Sequence, residues 1–197
     1  MIYYAGIGSR ETPASILTAF EAIGEQLGNL GLTLRSGRAP GADSAFEQGA
    51  RKARANSEIF IPWRGFPSGS SLASYPAIIF DELENAQKLA ATESVRKYHP
   101  APDRLSDGAF KLIARNYCQM FGPSVNSQAS SFVVCYTSDG QASGGTGQVI
   151  RMAQDGDIPV LNAHGFENNP DEFVRQVVEF AQTFIKLLQT AACVVVR

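Results

Sequence analysis

Three short stretches of this chain combine glycine with hydroxyl and cationic side chains at spacings that suit an anion. The first is GIGSR, with Gly6, Gly8, Ser9 and Arg10. The second is SGRAPGAD, with Ser36, Gly37, Arg38, Gly41, Ala42 and Asp43. The third is SGGTG, with Gly144, Gly145, Thr146 and Gly147. Glycine lets backbone approach an anion closely. N–H groups at a helix start add donors and the positive end of a dipole. Together these residues outline a phosphate cradle. One such loop could be no more than a tight turn, but three on one sheet edge point to a ligand. Arg115, Asn116 and Gln119 form a further polar group at helical spacing. Such a group is ordinarily a solvated face; in a nucleotide site it would contact phosphate or base edges.

The elements that must position these loops can be read from apolar patterning. IYYA, Ile2 to Ala5, reads as a strand opening into the first loop. Ile16, Phe20, Ile23 and Leu27 make one helical stripe, with Thr12 as N-cap candidate and Pro13 at the helix start. LTLR, Leu32 to Arg35, is a second strand, followed by the second loop and a helix to about Arg54. EIFIPW, Glu58 to Trp63, is a third. Residues 64–104 blur into Gly, Ser and Pro with one helix candidate at Asp81–Ala91, and read as an insertion forming a pocket wall or lid. A helix is expected over Ser106–Met120, with Lys111, Arg115 and Gln119 as one stripe. FVVCYT, Phe132 to Thr137, is apolar enough for a central strand. The third loop, a helix Gln148–Asp155, a strand Ile158–Leu161 and a helix Pro170–Gln189 follow, and the terminal ACVVVR reads as an edge strand. Strands alternating with helices imply an α/β, Rossmann-like three-layer fold: a mostly parallel sheet with helices on both faces, in one domain over residues 1–197. In such sheets ligands sit at the carboxyl ends of the strands, where all three loops fall.

Two common nucleotide motifs are excluded. Gly6-x-Gly8 lacks the third glycine of a dinucleotide fingerprint, because Glu11 stands there, and strand two ends in Arg35-Ser36 where a ribose-binding acid would be needed. No GxxxxGK[ST] sequence occurs.

The loops, in their order and spacing, resemble the SLOG superfamily of Rossmann-like proteins. Within it they are most similar to the DNA-processing protein A (DprA/Smf) group and its small stand-alone relatives, some of them phage-borne. Ser36, Gly37, Ala39, Gly41 and Asp43 match that group's Ser-Gly-x-Ala-x-Gly-x-Asp pattern. The likeness covers roughly 1–62 and 130–163. It implies a ligand with phosphate and ribose parts: a nucleotide, a cyclic or ADP-ribose-like signal, or single-stranded DNA. A more distant likeness is to the "lonely guy" (LOG) phosphoribohydrolases, whose Pro-Gly-Gly-x-Gly-Thr run is followed by catalytic glutamates. Here Ile150 and Arg151 stand in the corresponding stretch, so LOG-type hydrolysis lacks its acids.

The remaining candidates are His99 and Asp103 in YHPAPDR, His164 in a loop, and Asp139 and Asp43 as carboxylates. Asp43 serves equally as a helix cap or a brace for its loop. Trp63, Phe66 and Tyr75 could stack on a base or close the insertion's own small core. No His, Cys, Asp and Glu group has metal-ligand spacing, and no cofactor or catalytic residue is expected. Net charge is −2, with the acid excess after residue 120, a poor profile for bulk attraction to duplex DNA. Cys118, Cys135 and Cys193 form no ligand pattern. The opening MIYYAGIGSR has no basic leader region, and no apolar run approaches the ~20 residues of a span. The expectation is a cytoplasmic, self-associating protein that senses or sequesters a nucleotide-type ligand. DprA-like binding of single-stranded DNA and LOG-like N-glycosidic cleavage stand as alternatives.

Overall fold

A computed structural model describes residues 1–67, 71, 72 and 74–195, apart from the side chains of 192–195. Six parallel strands form one sheet in the order β4-β3-β2-β1-β5-β6. They are β1 (Tyr3–Gly6), β2 (Thr33–Ser36), β3 (Ser57–Ile61), β4 (Ile78–Ile79), β5 (Phe132–Cys135) and β6 (Val160–Asn162). The chain first winds outward from β1 through β4, then crosses back to β5 on the other side of β1. The strand order therefore reverses between β1 and β5, which opens a crevice at their carboxyl ends.

Side-chain alternation along the strands splits the core in two. Tyr4, Leu34, Phe132 and Val134 face a layer made by α1 (Ala14–Asn29), α2 (Ala42–Lys52) and α6 (Pro170–Val195). Ala5, Val133 and Cys135 face α5 (Gly144–Asp155), while Phe60 meets α3 (Asn85–Tyr98) and α4 (Asp107–Phe121). β1 and β5 are almost wholly buried because helices cover both their faces, which is why FVVC carries no polar alternation.

Several boundaries differ from the sequence reading. Pro13, not Thr12, precedes α1, and the Thr12 hydroxyl instead donates to the carbonyl of Ser9 at 2.7 Å. β3 stops at Ile61, before Pro62 and Trp63. The helix expected at Asp81–Ala91 begins at Asn85, after a 3-10 turn at Phe80–Glu82, and runs to Tyr98. The stretch expected as an insertion supplies edge strand β4 and helix α3, so it builds part of the sheet and of one helical layer. The edge strand expected in ACVVVR is replaced by helix as far as Val195. No glycine or proline interrupts the chain between Asp171 and Val195, and β-branched residues cost a helix only tenths of a kcal/mol each. Residues 196 and 197 of that segment lie outside the described residues. Among the described residues, no helix is long and apolar enough to cross a membrane.

Candidate functional site

A cavity of about 570 Å³ opens over the β1–β5 crevice. That volume suits a mononucleotide-sized ligand. The first loop, the turn after β5, the start of α5 and one side of α4 enclose it. Of the sequence candidates, Gly8, Ser9, Arg10, Asp43, Arg115, Asn116, Gln119, Gly144, Gly145 and Thr146 line it. Gly6, Ser36, Gly37, Arg38, Gly41, Ala42 and Gly147 do not.

The residues that do not line it hold the loops together. Ser36 donates its hydroxyl to the carbonyl of Gly6 at 2.7 Å, joining the first two loops. Gly41 has φ of +90°, and a Cβ there would stand 2.9 Å from the carbonyl oxygen of Ser9. A side chain at Gly41 would thus strike the first loop rather than a ligand. Gly37 makes room for Arg115: a Cβ at Gly37 would lie 1.2 Å from Nη1 of that guanidinium. Arg38 turns away from the cavity altogether. It is buried, donates to Glu47 at 2.7 Å, and satisfies the carbonyls of Tyr75 and Pro76.

Asp43 is the junction of the site. It lies in the first turn of α2, where Gly41 occupies the cap position, so Asp43 is not itself the cap. Its carboxylate accepts the N–H of Ala39 at 3.3 Å and Nη1–H of Arg115 at 3.2 Å, and the backbone N–H of Gly8 bonds to it as well. Burial holds its pKa above the ordinary carboxylate value, against the opposing pull of Arg115 and the two backbone donors. Burial likewise lowers the pKa of Arg115, opposed by Asp43. The pair is 3–4% exposed at each partner, so two elements distant in sequence are pinned by a desolvated ion pair.

Around that junction the donors stand open. Arg10 is exposed at the mouth and has no hydrogen bond or ion pair among the described residues. At the start of α5, Gly147 N–H closes the first helical bond to Ser143. The amides of Gly144, Gly145 and Thr146 therefore have no intrahelical acceptor and border the cavity at the positive end of the helix. Ser143 does not cap them, because its hydroxyl donates to Asp139 at 2.9 Å. That bond and the N–H of Gln141 hold the exposed Asp139 below the usual carboxylate pKa. Asn116 braces the same helix start by donating to the carbonyl of Gly145 at 3.2 Å. Arg115 Nε and Gln119 Nε2 are buried in the wall with no partner among the described residues.

The stripe Lys111, Arg115, Gln119 is divided by burial. Lys111 lies outside and pairs with Asp81 at 2.8 Å, while the other two turn inward. Ile150 is packed in the core against β5, and Arg151 donates to the carbonyls of Tyr98 and Ala142. Neither borders the cavity. Trp63 and Phe66 pack edge to face with each other, and the ring of Tyr75 lies under Arg51; none reaches the cavity. Asp103 and His164 do not reach it either, but His99 does. The His99 Nδ1 accepts the N–H of Ala101 at 3.2 Å, which leaves the proton of a neutral ring on Nε2. Sequence reasoning missed Tyr136 and Thr137, which it read as strand, and the apolar wall of Leu105, Leu112 and Ile113. Tyr136 packs with Phe132 and Val134 just beyond the end of β5, in a run too uniformly apolar to mark it; nothing local signalled Leu105.

No family model and no curated protein matches the chain. A solved structure, that of the Moco carrier protein of Chlamydomonas rheinhardtii, is similar at 17% identity and a TM-score of 0.48, over 82% of this chain and 74% of that one. What the site can do follows from its own geometry.

Proposed function

We propose that this chain binds a small phosphorylated ligand of nucleotide type and holds it in the β1–β5 crevice, as a sensor or sequestering protein. The observation that carries this is the donor set of the cavity: Arg10 with no ion pair among the described residues, three open amides at the start of α5, and an apolar wall beside them. The first features suit a phosphate, the last a sugar and ring. The likeness of the three loops to the SLOG superfamily supports the same reading. The cavity's size favours one nucleotide over a strand of DNA.

Isothermal titration with nucleoside 5′-monophosphates, joined to mass spectrometry of anything released from the heat-denatured protein, is the test. Arg10→Ala should weaken binding by about 1.5–3 kcal/mol, roughly ten- to hundredfold, as for a lost charged hydrogen bond. Equal binding by wild type and Arg10→Ala, or no binding of any phosphorylated compound, refutes the proposal.

A further inference from the structure

The polar groups of the cavity differ in exposure. At the mouth stand an exposed cation, Arg10, and the open amides of α5. At the buried wall stand Arg115, 4% exposed, and Gln119, 1% exposed. Both line the cavity, and Nε of Arg115 and Nε2 of Gln119 lack partners among the described residues. Folded proteins rarely leave such groups unpaired, so each is a donor whose partner the chain does not supply. The two residues are one helical turn apart on α4, so their side chains lie side by side on one face.

The charge at the buried wall decides what that partner can be. Arg115 is already paired with Asp43 at 3.2 Å, so its charge is spent largely on that carboxylate. A phosphate there would lie beside the buried Asp43 carboxylate, whose charge opposes it. An uncharged acceptor suffers no such repulsion. Arg115 Nε–H is a fixed donor, and the Gln119 amide can present either a donor or an acceptor edge. A fixed donor beside an adaptable amide fits a ring nitrogen or keto oxygen and its neighbour on a heteroaromatic ring. Leu112, Ile113 and Tyr136 give such a ring apolar surroundings.

Resting on the nucleotide reading above, we infer that Arg115 and Gln119 are the base-reading residues of the site: the ligand lies with its base edge against α4 and its phosphate toward Arg10 and the start of α5. Gln119 then determines affinity through the base alone.

The test compares ligands with and without a base. Wild-type protein is titrated with the four common nucleoside 5′-monophosphates, ribose 5-phosphate and inorganic phosphate. At least one nucleotide should bind about tenfold or more tighter than ribose 5-phosphate. Gln119→Leu, and separately Arg115→Lys, which keeps a cation for Asp43 while deleting Nε–H, should each bring nucleotide affinity down to that of ribose 5-phosphate measured on the same variant. Thermal melts without ligand check that each variant is folded; the wild-type comparison stands even where one is not. If every nucleotide binds no tighter than ribose 5-phosphate, or if folded Gln119→Leu weakens both equally or neither, the assignment is wrong while the nucleotide reading survives. If none of these compounds binds, the nucleotide reading falls and takes the assignment with it.

Discussion

Replacing Gly37 by alanine is expected to cost far more than a methyl group in a loop usually does. Its φ is not in the left-handed region, so alanine meets no torsional penalty there. The contact is what matters: the new Cβ would lie 1.2 Å from Nη1 and 2.1 Å from Cζ of Arg115. The guanidinium must leave its seat, and with it goes the bond to Asp43. Breaking a buried ion pair by removing one partner costs about 3–5 kcal/mol. The displaced guanidinium can swing into the cavity and regain water, so we expect the low end, about 3 kcal/mol. In a domain of this size that is a fall in Tm of roughly 6–12 °C. The assay is a double-mutant cycle by thermal and urea unfolding, with Gly37→Ala made alone and on Arg115→Ala. Once the guanidinium is gone, the methyl group should cost almost nothing. Gly31→Ala is the control, since Gly31 has φ of +83° but open space around it, and should lose only about 1 kcal/mol of strain. Equal losses for Gly37→Ala with and without Arg115 would refute the seat-and-guanidinium argument, as would a loss smaller than that of the control.

Arg38→Met leaves Glu47 as a buried unpaired carboxylate, so stability should fall by about 3–5 kcal/mol, measured by urea unfolding. Nucleotide affinity of the folded fraction should not change, because Arg38 does not border the cavity. Burial pushes the thiols of Cys118 and Cys135 up to about 12, so both should resist iodoacetamide at about pH 8 until the protein is unfolded, as read by peptide mass spectrometry.

The sheet was legible because its central strands are buried on both faces. Tyr4 and Ala5, and Phe132 through Cys135, are runs with no exposed position, and such runs announce themselves without any alternation. β4 did not, because two residues carry no period, and Ile78–Ile79 earn their place only by pairing with Phe60 and Ile61. α3 was shifted because its start is set by a preceding 3-10 turn rather than by a side-chain cap. The end of α6 was misread because Val194 and Val195 favour strands by type, whereas their conformation is inherited from the helix before them.

The site was less legible, and topology explains why. The sequence shows that three loops gather at one edge, but not which two flank the point where strand order reverses. That point lies between β1 and β5, and the second loop follows β2, one strand further out. From there it reaches the cavity only across the first loop, which is why Ala39 and Asp43 border it while Gly37, Gly41 and Ala42 are spent on close contacts within the chain. The glycines of SGRAPGAD are sites of close approach between parts of the chain itself. Gly41 admits the backbone of Ser9 and Arg10, and Gly37 admits a guanidinium from α4. Of the arginines around the second loop, Arg35 and the candidate Arg38 are each paired with a glutamate, Glu58 and Glu47. The cations that remain near the cavity are Arg10, in a loop with no apolar period, and Arg115, on a helix whose polar stripe looked solvated. A side chain's availability to a ligand depends on what neighbouring strands bring beside it, and that is information a linear spacing does not carry.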